Sequence, residues 1–197
     1  RTLDDARTLA ERALTYRGEH LDDARSYGEV AFGGATPKTS ADSPWDAATP
    51  VAIPETGFAI KGYIDRLDLS GDGRHALVRD YKTGRPPKND ISINGGCELQ
   101  RCLYAFAVKA LLGADVSIRA SLLYPRTETD IQLTDPEATL AELTGYLPAA
   151  NTSLSAGHAL IGPDTRRPYD DLALVFSANA RASLTASAAC LDIVEIP

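Results

Sequence analysis

Leu3, Ala6, Leu9, Ala10, Ala13 and Leu14 recur at the three- and four-residue intervals of one helix face, so the pattern predicts an amphipathic helix over 2–16, with Gly18 as its stop. Residues 27–32 read as a short strand closed by Gly33-Gly34. Over 35–56 the periodicity lapses, and Pro37, Pro44, Pro50 and Pro54 among Ser, Thr and Asp predict a loop. Residues 58–81 read as two strands around Gly71-Asp72-Gly73. After a loop rich in Gly, Pro and Lys, helical spacing returns over 98–112. A buried strand follows over 116–124, with a short partner at 130–133. Thr134 or Asp135 is placed to cap a helix that has Pro136 in its first turn and runs to about Leu143. Farther on, 171–176 reads as strand and 178–189 as helix. Strands and helices mix without strict alternation, which predicts an α/β fold with a central mixed β-sheet flanked by helices.

Composition narrows the class. The chain has 197 residues, 44% hydrophobic and 24% charged, as expected of one globular domain over 1–197 rather than a disordered or fibrous chain. A chain of this size buries roughly 70% of its unfolded surface without disulfide or metal staples. No apolar run approaches the ~20 residues that span a bilayer. Cys97, Cys102 and Cys190 form neither a CxxC pair nor an even framework, which points to buried thiols in a reducing, cytoplasmic setting. The chain opens at Arg1 directly onto a predicted helix and lacks Met, so the sequence reads as a fragment of a longer polypeptide. The net charge of −7 argues against binding nucleic acid through the whole surface. A local path is still present in Arg79, Lys82, Arg85, Lys88, Arg101 and Lys109, set against Asp80, Asp90 and Glu98.

The candidate chemistry lies between Gly62 and Lys82. Asp72-Gly73 is a favoured pair for a two-residue type I′ turn, and centring the turn there sets Leu69 opposite Ala76, Leu67 opposite Val78, Asp65 opposite Asp80 and Tyr63 opposite Lys82. Alternation then puts Asp65, Leu67, Leu69, Ala76, Val78, Asp80 and Lys82 on one face, apolar except at the end where two carboxylates and an ammonium meet. Opposed like charges destabilise a sheet, and on a partly buried face one carboxylate would take up a proton. A divalent cation removes that conflict, and Mg²⁺ suits one or two carboxylates with phosphate and water completing its shell. Lys82 can orient a water or steady a phosphate oxygen, which together describes metal-assisted phosphoryl hydrolysis. The plain alternative is an exposed Asp–Lys ion-pair cluster. Asp68, Ser70, Asp72 and Gly73 imitate the start of a calcium loop, but its twelfth position is Arg79 where a glutamate is required.

GYIDRLDL, VRDYKTG and ELQRCLYAFAVKA, in that order, resemble the RecB-like branch of the PD-(D/E)XK nuclease superfamily, in particular the nuclease domains of bacterial recombination helicases of the AddB and RecB type. The resemblance covers roughly residues 27–110. It implies a restriction-endonuclease-like core and a deoxyribonuclease of DNA end processing or recombinational repair, with DNA as substrate and a helicase domain or subunit as partner. It implies Mg²⁺, for which Mn²⁺ can substitute, held by Asp65, Asp80 and the Tyr81 backbone carbonyl, with Lys82 assisting hydrolysis. Its Q-x-x-x-Y motif maps onto Gln100 and Tyr104, and its E-x-x-F-G pattern onto Glu29, Phe32 and Gly33, making Glu29 a further candidate metal ligand.

Gln100 and Tyr104 are four apart on the predicted helix and share a face, where they contact DNA, brace Lys82 or simply cover the sheet. Arg85 and Lys88 follow Lys82 in a loop able to touch a phosphate backbone. Two features depart from the family. His20 lies only nine positions before Glu29, too near for the family's upstream metal-binding histidine, and reads as a surface residue. The cysteines do not fit the family's four-cysteine iron–sulfur cluster, so none is expected. A catalytically silent nuclease-like module that binds DNA or a helicase partner is the competing functional class.

Overall fold

The computed structural model describes residues 2–157, apart from 17, 19, 40–41, 89–91, 94–95 and 97. The elements foreseen at 171–176 and 178–189, with Cys97 and Cys190, lie outside the described residues. The described chain runs α1 (Thr2–Thr15), β1 (Arg25–Phe32), β2 (Val51–Ala52), β3 (Ala59–Ile60), β4 (Gly62–Leu69), β5 (His75–Tyr81), α2 (Gln100–Leu112), β6 (Ser117–Tyr124), β7 (Thr129–Gln132) and α3 (Pro136–Ser155). Five strands form a mixed sheet in the order β1-β4-β5-β6-β7. Only β5 and β6 run parallel, joined by α2, because a parallel pair needs a crossover long enough to carry a helix. β2 and β3 make a separate two-stranded ribbon inside and just after the proline-rich stretch, too short to leave a periodic signal.

On one sheet face, Val30, Phe32, Ile64, Leu67, Ala76, Val78 and Ala120 bury against Ala105, Ala107 and Val108 of α2. A second cluster, with Cys102, Leu133 and Leu143 at its centre and Leu140 and Leu147 packed on it, fastens α3 to α2. Asp135 is the cap of α3, accepting the Glu137 and Ala138 N–H groups at 3.1 and 2.9 Å. The helix continues past Leu143 through Gly145 and Pro148 to Ser155, because Leu147 packs against the second cluster and outweighs both breakers. α1 buries less than its pattern implies: Leu9 and Ala13 are half-buried, while Leu3 and Leu14 are exposed.

The opposite sheet face carries charge in its interior. Asp68 accepts from Ser26 Oγ at 2.5 Å, Arg66 Nε at 2.9 Å and Arg79 Nη1 at 3.0 Å, and all of the Arg79 side chain but 2% is covered. Tyr16 lies under the Arg79 guanidinium at 5.8 Å.

The β4–β5 turn is wider than a type I′ turn. Only Gly73 takes a positive φ (69°); Ser70 N–H donates to His75 O and Gly73 N–H to Ser70 O, both at 2.9 Å, so residues 71–74 form the loop. Asp72 Oδ1 accepts from Ser70 Oγ and Arg74 N–H, at 2.6 and 3.0 Å, side-chain bonds that favour the longer loop. Two- and four-residue loops centred on the same bond preserve one register, so Leu67 still faces Val78 and Leu69 still faces Ala76.

Gly33 turns the chain out of β1 with φ 66°, and a Cβ there would stand 2.0 Å from Ile60 O. Gly33→Ala is expected to destabilise the fold by about 2 kcal/mol or more, read as a lowered midpoint in thermal or urea unfolding.

Candidate active site

Asp65 owes its orientation to a fault in the sheet. The β1–β4 ladder runs from Arg25↔Leu69 to Phe32↔Gly62 but omits the pair that Glu29 and Asp65 would make, and Glu29 has φ 52°. Side-chain alternation breaks there, since Ile64 and Leu67, three apart, both enter the same core, as do Tyr27 and Val30. Simple alternation through Asp65 is therefore corrected: a local irregularity re-aims one side chain, as bulges do beside active sites. The ladder between β4 and β5 ends at Arg66↔Arg79, short of the expected Asp65–Asp80 and Tyr63–Lys82 pairs, and beyond it Asp65 Oδ2 accepts the Tyr81 N–H at 2.9 Å. N–H and C=O of one strand residue leave on the same edge, so the Tyr81 carbonyl also points to the β4 side.

Asp80 projects from β5 toward α2 and is only 4% exposed. Burial pushes its carboxyl above the ordinary value of 3.8; the Lys82 ammonium pulls it down, and the negative charges of Asp65 and Glu98 push it up again. Lys82 Nζ stands 2.5 Å from Asp80 Oδ2. The angle of approach is poor for a hydrogen bond, so the buried oxygen is held chiefly by the ammonium's charge. The contact is charge against charge.

Lys82 instead donates to Gln100 Oε1, and Gln100 Nε2 donates to the Tyr104 hydroxyl at 3.3 Å. The two residues share the α2 face over the sheet, and Tyr104 is braced edge-on by Phe32, with ring centroids 5.9 Å apart. Burial, and then the charges of Asp80 and Asp65, raise the Tyr104 hydroxyl above its ordinary value and keep it protonated. The amide is thus engaged at both ends, and its oxygen stays on the lysine.

A model of the PD-(D/E)XK nuclease superfamily matches residues 2–174. The chain belongs to the PD-(D/E)XK nuclease superfamily. Among curated proteins, none matches it. The mixed sheet with its helices is the restriction-endonuclease-like α/β fold. PD-(D/E)XK nucleases typically use divalent metal ions. The donor set here suits a hard cation: a buried carboxylate whose charge is offset by one ammonium, a second carboxylate near enough to raise it, and a carbonyl on the edge where Asp65 bonds. Among the described residues no group of three His, Cys, Asp or Glu side chains converges as a metal site.

For this PD-(D/E)XK chain, the outer residues fall into place unevenly. Glu29 falls at the gap in the β1–β4 ladder opposite Asp65, and its Oε2 is occupied by a hydrogen bond from Lys38 Nζ at 2.5 Å. Arg85 and Lys88 are exposed on the loop after Lys82. The rest of the basic path is corrected. Arg79 lies on the far sheet face with Asp68. Arg101 is 1% exposed, paired with Glu98 at 2.8 Å and donating to the Gln132 carbonyl at 3.1 Å. Lys109 pairs with Glu137. A buried guanidinium needs a paired anion, and Asp68 and Glu98 supply it to Arg79 and Arg101.

His20 is exposed and pairs with Asp22 at 3.4 Å, as a surface histidine does. Cys102 is buried, its thiol pushed up to about 12 by burial and then by Glu98. Sequence reasoning missed Lys38, whose signal is faint: a lone lysine nine residues from Glu29 across the Gly33-Gly34 turn.

Proposed function

We propose that the chain is a Mg²⁺-dependent deoxyribonuclease domain of the RecB-like kind, hydrolysing DNA phosphodiester bonds in end processing or recombinational repair beside a helicase domain or subunit. The observation that carries the reading is the buried Asp80 carboxylate, ion-paired with the Lys82 ammonium at 2.5 Å and close enough to Asp65 for that second carboxylate to push it up. The order of the motifs around Asp65, Asp80, Lys82, Gln100 and Tyr104 supports the RecB-like and helicase-linked part. A buried free thiol at Cys102 suits the cytoplasm.

Asp65, Asp80 and the Tyr81 carbonyl would hold the metal, with Mn²⁺ able to replace Mg²⁺. A divalent ion bound there supplies a lowered water pKa and offsets charge on the phosphate. Lys82 positions the attacking water and faces the charge that builds on the phosphate as the water oxygen bonds to phosphorus and the P–O ester bond breaks. Gln100 fixes the lysine, and Tyr104 fixes Gln100. Arg85 and Lys88 take up backbone phosphates on the loop beyond.

The test is end-labelled linear DNA incubated with the purified chain, with and without Mg²⁺ or Mn²⁺. Loss of label only with metal supports the enzyme. Binding without turnover contradicts it and supports a silent DNA-binding module. A subsidiary result concerns the lysine's support: Gln100→Leu is expected to lower kcat about 10- to 100-fold with an unchanged melting temperature, and Tyr104→Phe to lower it less.

A further inference from the structure

The strongest unexplained feature beside the site is the seat of Lys38. Its loop leaves β1 through Gly33 and Gly34, at φ 66° and 86°, and is tied across β4 by the Tyr63 hydroxyl, which donates to Thr36 O at 2.6 Å. Within that loop the Lys38 ammonium donates to Glu29 Oε2 at 2.5 Å and lies 4.3 Å from the centroid of the Tyr63 ring. Both holders flank Asp65. Glu29 falls at the gap in the β1–β4 ladder opposite it, Tyr63 precedes it by two positions on β4, roughly 7 Å along the strand, and the Lys38 ammonium feels the Asp65 charge. The Lys38 side chain is nonetheless half exposed, and an ammonium has three donors of which the Glu29 bond uses one.

An exposed ion pair adds little to stability, so the main consequence of this seat is placement. The sheet order sets β4 between β1 and β5, which puts Asp65 between Lys38 on one side and Lys82 with the Arg85–Lys88 loop on the other. A nucleic-acid strand crossing the carboxylates then meets cations on both sides of them, and those cations offset the repulsion between phosphates and an acidic chain. Hydrogen bonding to Glu29, and the charges of Glu29, Tyr63 and Asp65, raise the Lys38 ammonium above its ordinary value, so it carries full charge at neutral pH.

We propose that Lys38 is a substrate contact: its ammonium, seated on Glu29 and Tyr63 beside Asp65, binds a phosphodiester oxygen of the DNA on the β1 side of the site. This rests on the nuclease reading above.

The test is DNA binding by the 197-residue chain in EDTA, with a fluorescent duplex titrated between 50 and 200 mM salt. Lys38→Gln is expected to weaken binding about 3- to 10-fold at the lowest salt and to reduce the slope of log K against log salt by about 0.9, the contribution of one phosphate contact. Lys38→Arg is expected to keep both, and in metal the loss of kcat/KM for Lys38→Gln should fall mainly on KM. An unaltered slope and affinity in Lys38→Gln overturns the inference alone, as does equal weakening by Lys38→Arg, which would mark a structural role. Wild-type protein that fails to bind DNA removes the nuclease reading and the inference together.

Discussion

Asp80→Asn is expected to reduce metal-dependent DNA cleavage by at least about 10³-fold while raising the melting temperature in metal-free buffer. Both effects come from one buried oxygen. The substitution keeps the shape of the side chain but removes the charge that a dication needs, so chemistry is lost without a cavity. Stability moves the other way because burial raises the Asp80 carboxyl above its ordinary value of 3.8. A carboxyl raised in the fold binds its proton more tightly there than in the unfolded chain. Its ionisation therefore subtracts stability as pH climbs from about 3.8 through the folded value, and the loss persists at neutral pH. The gap in melting temperature between Asp80→Asn and wild type should open over that window and remain at pH 7, and should shrink when saturating Mg²⁺ stabilises only the wild type. Equal cleavage by the variant refutes the role of Asp80, and a gap that narrows with rising pH refutes the account of its burial.

Asp68→Ala is expected to do the reverse, costing about 3–5 kcal/mol of stability without touching the chemistry. Asp68 is on the same strand as Asp65 but serves the far sheet face, where it holds Arg79, Arg66 and Ser26 at once. Removing it leaves the Arg79 guanidinium buried with its principal anion gone, and Asp130, 3.9 Å from Nε, is a distant substitute. At roughly 2–4 °C per kcal/mol for a chain of this size, the melting temperature should fall by on the order of 10 °C or more. Cleavage per folded molecule at low temperature should stay near wild type. Asp68→Leu combined with Arg79→Met should recover much of the loss, since an apolar pair carries no unpaired charge. If Asp68→Ala melts within a degree of wild type, the far-face network is not what holds β4 to β5.

How far the sequence foretold this arrangement follows from which contacts are local. The β4–β5 register was legible because Asp72-Gly73 centres the turn, and it survived an error in turn type since the four-residue loop keeps the same pairing. The type itself depends on Ser70 and Asp72 side chains bonding to neighbouring residues, which a turn pair does not encode. The helix carrying Gln100 and Tyr104 was legible from its spacing. The continuation of α3 past Gly145 and Pro148 was not, because packing against α2 decides it. Basic residues misled most: Arg79 and Arg101 look like a phosphate path in sequence and are interior ion-pair partners in space, drawn in by Asp68 and Glu98. The candidate Asp65 came from the turn register and its motif, but the fault at Glu29 that aims it lies on another strand. Lys38 was invisible for the same reason, since its partners meet only when β1 and β4 pair.

The most direct measurement is Mn²⁺ binding to the purified chain, followed by electron paramagnetic resonance, in wild type, Asp65→Asn and Asp80→Asn. The account predicts bound Mn²⁺ in the wild type that Mg²⁺ displaces, and binding at least about tenfold weaker in each variant. Mn²⁺ held equally well by all three proteins would contradict it.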